Sequence, residues 1–110
     1  MTNLHFKIVI PMYNVEKWIT KNIQSIQAQE YKNFECIIID DLSTDKSVEI
    51  AQSLIEGDKR FRLVVNSEKK YALQNIYEGI LATNPGDHDI IATVDGDDWL
   101  SSPKSLEIVN

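Results

Sequence analysis

The sequence has little cysteine, little glycine and a shortage of positive charge, and each shortage excludes a class of protein. Its 110 residues include one cysteine, Cys36, so no internal disulfide can form. The 4 glycines are dispersed, and neither a G-x-G-x-x-G dinucleotide motif nor a phosphate-binding P-loop is present. Asp and Glu outnumber Lys and Arg by 17 to 11, and the net charge of -6 argues against a nucleic-acid partner, which needs clustered basic residues.

Long apolar segments are absent as well, so the sequence predicts neither a membrane span nor a signal peptide. Cys36 lies in the apolar stretch 34–39, and we interpret it as a small buried core residue in a reducing compartment. We therefore expect a cytoplasmic protein, in which any contact with the cytoplasmic face of a membrane comes from regions outside this chain. A hydrophobic content of 43% with 25% charged residues predicts one globular domain over residues 1–110.

Short β-rich segments alternate with amphipathic segments along the chain. The first predicted helix covers residues 15–28, with Asn14 as its N-cap and an apolar stripe of Trp18, Ile19, Ile23 and Ile26. The other predicted elements are strands at 6–10, 34–39, 61–65 and 90–94, a helix from Ser43 or Thr44 to about residue 56, a helix at 71–82 and a turn at 84–87.

This alternation predicts an α/β fold, a three-layer α/β/α domain with a mainly parallel sheet. In open sheets of this kind, ligands bind beyond the carboxyl ends of the strands. The unusual polar clusters all follow predicted strands, so we expect a binding site at that edge. These clusters are Tyr13-Asn14, Asp40-Asp41, residues 66–70 and residues 95–98.

Three carboxylates, Asp95, Asp97 and Asp98, follow the last predicted strand directly. Two like charges about 4 Å apart repel by about 4 kcal/mol at an effective dielectric of about 20, so a positive partner is expected there. Hard oxygen ligands suit magnesium or manganese, which commonly carry substrate phosphates in their remaining positions. The cluster therefore indicates a cation-and-diphosphate site, with an acidic helix-capping turn as the alternative. Trp99 and Leu100 are expected to anchor this loop in the core.

The polar residues that follow the first three predicted strands each have two possible roles, one structural and one in ligand binding. Asp40 and Asp41 could cap the next helix, or one of them could accept hydrogen bonds from a base N–H or from ribose hydroxyls. Tyr13 could pack beneath the first helix or line a base pocket with its ring. Of Lys69 and Lys70, at least one is expected to be a solvated loop charge, and one that points inward would offset phosphate charge.

Four motifs, taken together and in order, resemble those of the family 2 glycosyltransferases of GT-A fold. Because the motifs span nearly all of the chain with sensible spacing, the combined match is far more specific than any one motif. They are Ile8-Val-Ile-Pro-Met-Tyr-Asn14, Gln29 with Tyr31-Lys-Asn-Phe-Glu35, Ile39-Asp-Asp-Leu-Ser-Thr-Asp45 and Asp95-Gly-Asp-Asp-Trp-Leu100.

The resemblance implies a nucleotide-sugar donor, most often UDP-linked, and transfer to an acceptor hydroxyl with inversion at the anomeric carbon. Pro11 and Tyr13 match the start of the family's nucleotide pocket, and Asp41 matches its base-contacting aspartate. Whether the acceptor is a glycan, a lipid or a protein is not implied.

The same resemblance implies that Asp95, Asp97 and Asp98 bind the sugar donor and the metal ion. Asp95 and Asp97 match the outer acids of the family's D-x-D element, with Asp98 adjacent. Asp95 would face the ribose, while Asp97 and Asp98 would bind the Mn²⁺ or Mg²⁺ ion that bridges the diphosphate. That ion would stabilise the negative charge that builds up on the leaving nucleotide.

Two departures from the family pattern concern the third loop and the length. Gln74 stands in the position of the family's arginine, and the loop from residue 66 lacks the family's glycine. The family's acceptor-binding half, with its general base, would follow the D-x-D element, so the chain looks like the donor-binding portion of a longer enzyme or a truncated protein.

The alternatives to this function are a sugar nucleotidyltransferase and a phosphoacceptor receiver module. A sugar nucleotidyltransferase normally has a glycine-rich phosphate loop after the first strand, and Pro11-Met12-Tyr13-Asn14 is not one. A phosphoacceptor receiver module of similar length also groups acids around magnesium. Its acidic pair would follow the first strand, however, whereas Asp40 and Asp41 follow the second.

Overall fold

The computed structural model describes residues 5–86 and 89–100, and the elements in this part alternate as predicted. Residue 87 of the predicted turn lies outside the described residues. The strands are β1 (Phe6–Met12), β2 (Phe34–Asp40), β3 (Phe61–Val65) and β4 (Ile90–Thr93). The helices are α1 (Ile19–Gln27), α2 (Ser47–Ile55) and α3 (Tyr71–Thr83).

The four strands form one sheet in the order β3-β2-β1-β4, and every neighbouring pair is parallel. Phe6 of β1, for example, lies between Phe34 of β2 and Ile90 of β4. Because receiver modules place β3 on the far side of β1 from β2, this order excludes the receiver alternative. The order reverses between β1 and β4, and such a reversal opens a crevice at the carboxyl ends of the two strands.

Helices cover both faces of the sheet, which confirms the predicted three-layer α/β/α architecture. Successive strand side chains point to opposite faces. The larger core lies on the face covered by α1 and α2 and includes Ile8, Ile23 and Ala51. On the opposite face, Val9, Ile37 and Ile39 pack beneath α3, with Ile80 against them. All residues of β1 are buried, as expected for a central strand covered on both sides.

Gly79 lets α3 approach the sheet closely. A Cβ atom at this position would lie 2.6 Å from Val9 Cγ1 and 2.9 Å from Ile39 Cδ1, so a larger residue would push the helix away. The close approach keeps α3 over β1 and β2, and its first turn therefore reaches the carboxyl edge of the sheet.

The predicted starts of the first two helices are wrong. The helix α1 begins at Ile19 rather than near residue 15, and Asn14 does not cap it. Asn14 has a φ of 50°, whereas an N-cap residue typically has an extended backbone. The helix α2 begins at Ser47, so Ser43 and Thr44 do not cap it either.

Hydrogen bonds between the two loops explain both shifts. The backbone N–H of Asn14 donates to Ser43 Oγ at 2.9 Å, and Thr44 N donates to Asn14 Oδ1 at 2.7 Å. Val15 N donates to Ser47 Oγ at 2.8 Å. These polar side chains join the β1–α1 loop to the β2–α2 loop instead of capping helices.

The apolar stripe of α1 also differs from the prediction at one position. Trp18 lies at the start of the helix and is 43% exposed, so it is not part of the buried face. Asn22 is buried there with Ile19, Ile23 and Ile26. A polar side chain on an otherwise apolar face requires hydrogen-bond partners, and those of Asn22 lie in the candidate site.

The interpretation of Cys36 as a core residue is confirmed, because its thiol is free and buried. Burial raises the pKa of this thiol well above its ordinary value, so it is not a reactive cysteine. Within residues 5–86 and 89–100, none of the helices combines the length and the apolar character that crossing a bilayer requires.

Candidate functional site

A pocket lies at the carboxyl edge of the sheet, beside the reversal of strand order. The residues assigned to the donor from the sequence, Pro11, Tyr13, Asp41 and Asp95, all line it. They come from the ends of β1, β2 and β4, which the parallel sheet brings to one edge. The first turn of α3 and the loop before it supply the remaining wall, including Lys69.

Tyr13 forms an aromatic wall of this pocket and does not pack beneath the first helix. Its side chain is 47% exposed. The ammonium of Lys69 lies 3.0 Å from the centroid of the Tyr13 ring and 5.4 Å from that of Tyr71. An ammonium held over an aromatic face is attracted by the ring quadrupole. Lys69 is thus the inward-pointing lysine, whereas Lys70 pairs with Glu78 at 2.8 Å.

Asp41 lies at the bottom of the pocket and is 3% exposed. Its Oδ1 accepts hydrogen bonds from Lys70 N at 2.8 Å and from Asn66 Nδ2 at 3.1 Å. Its Oδ2 accepts from Tyr71 N at 2.8 Å, and Lys69 Nζ lies 3.5 Å away. The carboxylate therefore binds the free backbone N–H groups at the start of α3, although it is about 30 residues distant in sequence.

These contacts decide the ionisation of Asp41. Burial alone would raise the pKa of its carboxyl group, but the hydrogen bonds from Lys70 N, Asn66, Tyr71 N and Asn75 lower that pKa to about 2. Asp41 is consequently charged at neutral pH. The assignment of Asp41 to a nucleotide base stays a prediction. The longest polar contact of its carboxylate, 3.5 Å from Oδ2 to Lys69 Nζ, is the one that a ligand can most readily replace.

Two buried amides, Asn66 and Asn75, complete this site. The sequence placed Asn66 in a polar cluster at the binding edge without a role, and it did not predict Asn75. Asn66 Nδ2 donates to Asn75 Oδ1 at 2.7 Å, and both amides bond to Asp41. Asn75 is 1% exposed and shares the buried face of α3 with Gly79 and Thr83. The signal that could have identified it is a polar residue at a helix position that faces the sheet.

Asp40 has a structural role in its own loop. It is 1% exposed, and its Oδ2 accepts a hydrogen bond from Ser43 N at 3.0 Å. Ser43 Oγ donates to Asp40 Oδ1. The intervening Leu42 has a φ of 65°, a conformation that is costly for a residue with a branched side chain. The Asp40 bonds hold the turn in this shape, and the turn orients Asp41 toward the pocket.

The residues Asp95 to Asp98 form a tight turn, here called the acid turn. Asp98 N donates to Asp95 O at 2.9 Å, which closes the turn, and Gly96 N donates to Pro11 O at 3.1 Å, which binds it to the end of β1. A Cβ atom on Gly96 would lie 2.8 Å from Met12 Cβ. Glycine is therefore needed here for close approach to β1, and Asp97 is left at the exposed tip.

The carboxylates of Asp95 and Asp97 are exposed and accept no hydrogen bond from residues 5–86 or 89–100. Asp98 Oδ1 accepts from Trp99 N at 2.9 Å. In the part of the chain that the structure describes, no three His, Cys, Asp or Glu side chains are grouped as a metal site. One or two free carboxylates nevertheless fit an octahedral magnesium or manganese ion that takes its other ligands from phosphates and water.

Helix α1 is hydrogen-bonded to the backbone of the acid turn. Asn22 Nδ2 donates to Asp95 O and to Asp98 O, both at 2.9 Å. The expectation that Trp99 anchors the loop in the core is wrong, since Trp99 is 39% exposed and lies under the ammonium of Lys21, 3.9 Å from its ring centroid. Leu100 does pack against the core, as predicted.

The strand order and the pocket at its reversal define a doubly wound α/β domain. Residues 7–110 match the sequence pattern of glycosyl transferase family 2, and the chain belongs to this family. A Haemophilus influenzae protein described as an uncharacterized glycosyltransferase is 36% identical over 105 residues, which are 94% of this chain and 40% of that protein. The predicted family and its fold class are thus confirmed.

Solved structures of glycosyltransferases share the fold, which confirms the predicted GT-A type. Residues 1–349 of S. aureus TarS, in complex with UDP-GlcNAc, superpose with a TM-score of 0.78 at 22% identity, over 96% of this chain and 30% of that piece. The Pyrobaculum calidifontis mannosyltransferase PcManGT, in complex with GDP-Man and Mn²⁺, gives a TM-score of 0.81 at 19% identity, over 93% of this chain and 30% of that chain. The chain therefore spans less than half the length of each of these proteins.

Proposed function

We propose that residues 1–110 form the nucleotide-sugar-binding half of a GT-A domain. The protein would transfer a sugar from a nucleoside diphosphate, most simply UDP, to an acceptor hydroxyl with inversion and with the help of a divalent metal ion. One observation carries the proposal: Pro11, Tyr13, Asp41 and Asp95, assigned from sequence motifs, line a single pocket beside the acid turn. The acceptor and the general base belong to regions outside this chain, and we place the protein in the cytoplasm.

In this proposal the base lies against the ring of Tyr13. Lys69 now covers that ring, and it also faces Asp41 Oδ2 at 3.5 Å. An entering base would displace the lysine from both contacts, and a base N–H would take its place at Asp41. The diphosphate offers the displaced ammonium a stronger partner, so the same event would add a cation to the phosphate end of the site.

The metal ion would be held at the phosphate end by Asp97 and Asp98, with Asp95 toward the ribose. When bound, such an ion neutralises charge on the departing nucleoside diphosphate. Asp95 lines the pocket, and the carboxylates of Asp95 and Asp97 are exposed and accept no hydrogen bond from the described residues, which supports this placement. The complexes of TarS with UDP-GlcNAc and of PcManGT with GDP-Man and Mn²⁺ support a donor of this class.

A calorimetric titration tests the proposal. The intact protein is titrated with UDP, GDP and CDP, each with and without Mn²⁺ or Mg²⁺, and the titrations are repeated on Asp97→Ala. We expect one nucleotide, most simply UDP, to bind more tightly with metal than without it. In Asp97→Ala that metal-dependent gain should be lost while the weaker metal-free binding remains.

Glu56→Ala is the matched control, because Glu56 is an exposed carboxylate at the opposite end of α2 and its removal changes the net charge by the same amount. This variant should bind nucleotide and metal like the wild type. If a folded wild-type protein bound none of the three nucleotides with either metal, the proposed function would be wrong. If Asp97→Ala and Glu56→Ala lost binding equally, the loss would be a general charge effect. The assignment of Asp97 to the metal ion would then be wrong.

A further inference from the structure

Asn22 occupies a position where the helix pattern calls for an apolar residue. It is fully buried, with 0% exposure, and lies on the same face of α1 as Ile19, Ile23 and Ile26. A buried amide is costly unless its hydrogen-bonding groups are satisfied. Asn22 Oδ1 has no partner in the described part of the chain, so the residue is only partly satisfied. Its contribution must come from the donor side of the amide.

Both donor hydrogens of Asn22 go to the acid turn. The acceptors are the carbonyl oxygens of Asp95 and Asp98, each at 2.9 Å. These carbonyls belong to the first and last residues of the turn, so one planar amide fixes both ends. The orientation of the turn, and with it the direction in which the Asp97 carboxylate projects, therefore depends on a single side chain of α1.

Neighbouring residues of α1 extend this support to the chain after the turn. Ser25 Oγ accepts a hydrogen bond from Leu100 N at 3.0 Å and donates to Asn22 O at 2.7 Å. Lys21 covers the ring of Trp99. None of these α1 side chains lines the pocket, and none is a candidate ligand of donor or metal.

We propose that Asn22 is a positioning residue that holds the acid turn in place for metal-dependent nucleotide binding. The effect of Asn22 on nucleotide binding rests on the proposed function. The hydrogen bonds from Asn22 to the acid turn do not depend on that proposal. Asn22 acts through the backbone of Asp95 and Asp98 and touches neither nucleotide nor metal.

Hydrogen exchange of the intact protein tests the holding role without any ligand. Asn22→Ala removes both donors, Asn22→Leu removes them while nearly preserving volume, and Ile26→Ala weakens the same face of α1 one turn further on. In both Asn22 variants, the amides of Gly96 and Asp98 should exchange about tenfold faster relative to those of β1 and β2, because the turn opens locally. Ile26→Ala should speed exchange without this selectivity. Unchanged relative exchange at Gly96 and Asp98, or the same selective increase in Ile26→Ala, would overturn the holding role.

Titration of the same variants with UDP, in the presence and absence of Mn²⁺, tests the consequence. The Mn²⁺-dependent gain in UDP affinity should fall about tenfold in Asn22→Leu, since loss of two buried hydrogen bonds is of that order. Metal-free UDP binding should stay as in the wild type. If Asn22→Leu kept the full Mn²⁺-dependent gain in affinity, the role of Asn22 in nucleotide binding would be wrong, while the proposed function would stand. If the wild type shows its metal-dependent gain with GDP or CDP, or with Mg²⁺, that nucleotide and metal replace UDP and Mn²⁺ in this test. A wild-type protein without such a gain for any of the three nucleotides would overturn the proposed function and the consequence drawn from it, while the exchange data would still decide the holding role.

Discussion

Two pairs of acids at the same edge of the sheet have opposite environments. Asp40 ends β2 and Asp41 follows it. They are 1% and 3% exposed, and all four of their carboxylate oxygens are hydrogen-bonded to the protein. Asp95 and Asp97 follow β4 and are exposed, without hydrogen bonds from the described residues to their carboxylates. In the sequence the two pairs look alike, since each follows a short apolar strand directly.

The difference comes from the backbone donors within reach. The loop before α3 presents the N–H groups of Lys70 and Tyr71, which have no partner within the helix and bind Asp41 instead. In the acid turn, by contrast, the backbone donors bond to backbone carbonyl groups: Gly96 N donates to Pro11 O of β1, and Asp98 N donates to Asp95 O. An acid that follows a strand is thus free of protein hydrogen bonds only where no free helix start or loop donor lies nearby.

The largest expected effect is that of Asp41→Ala. It leaves two backbone N–H groups and the Asn66 amide without their acceptor, so we expect the free energy of unfolding to fall by about 3 kcal/mol. Urea denaturation followed by circular dichroism measures this. Asp97→Ala is the comparison from the other pair. If its free energy of unfolding fell by a similar amount, the two pairs would not differ in their structural role.

A somewhat smaller effect is expected of Gly96→Ala. The added Cβ would lie 2.8 Å from Met12 Cβ and 3.0 Å from Val15 Cγ2, so the acid turn must shift or β1 must yield. We expect a loss of about 2 kcal/mol, typical of an overpacked site. Gly57→Ala has nothing within 4 Å of its Cβ and loses stability only through its φ of 83°, so it separates crowding from backbone strain. Gly96→Ala as stable as the wild type would mean that the turn is not packed on β1.

The pH dependence of stability should distinguish the pairs with a smaller effect than either substitution. Because the folded-state pKa of Asp41 is about 2, below the ordinary value of about 3.9, its stabilising contribution is complete above about pH 5 and is lost as the pH falls through about 2. Asp41→Asn should show a shallower loss over this window. Asp45 and Asp58, whose pKa values are also lowered, remain in both proteins and cancel in the difference. Parallel curves for the two proteins would contradict the hydrogen-bonded state of Asp41.

The smallest expected effect on stability is that of Asp97→Asn. The exposed carboxylate has Asp95 and Asp98 as close like charges, so its neutralisation should leave stability unchanged or raise it by up to about 0.5 kcal/mol. Thermal unfolding in the absence of metal measures this change. A loss above about 1 kcal/mol would show that Asp97 has a structural partner and belongs with the Asp40–Asp41 pair.

Most of the fold followed from hydrophobic pattern, because strands buried on both faces and helices with apolar stripes are recognisable locally. The bounds of β3 and the start of α3 were predicted correctly, and the other strand bounds differ by one or two residues at the carboxyl end. The helix starts failed because Asn14, Ser43 and Thr44 have the residue types of N-caps but bond to one another across two loops. Such pairings depend on tertiary proximity, which a local pattern does not contain.

The candidate site followed from motif position at the ends of parallel strands. Sequence patterns placed Pro11, Tyr13, Asp41 and Asp95 at one edge, and the pocket joins them. They could not reveal that Asp41 would be engaged by the start of α3, nor that Asn22 would reach the acid turn. Both relations join residues from distant parts of the chain, and only the strand order brings them together.

The bond between Asn22 and Asp95 spans 73 residues of sequence. At a synthesis rate of about 5 to 20 residues per second, roughly 4 to 15 s separate the appearance of the amide from that of its acceptor on the ribosome. During that interval β1 can pair with β2, but its other edge stays open until β4 emerges. An open apolar edge is a template for wrong pairing, so we expect the nascent chain to be prone to aggregation at this edge until β4 emerges.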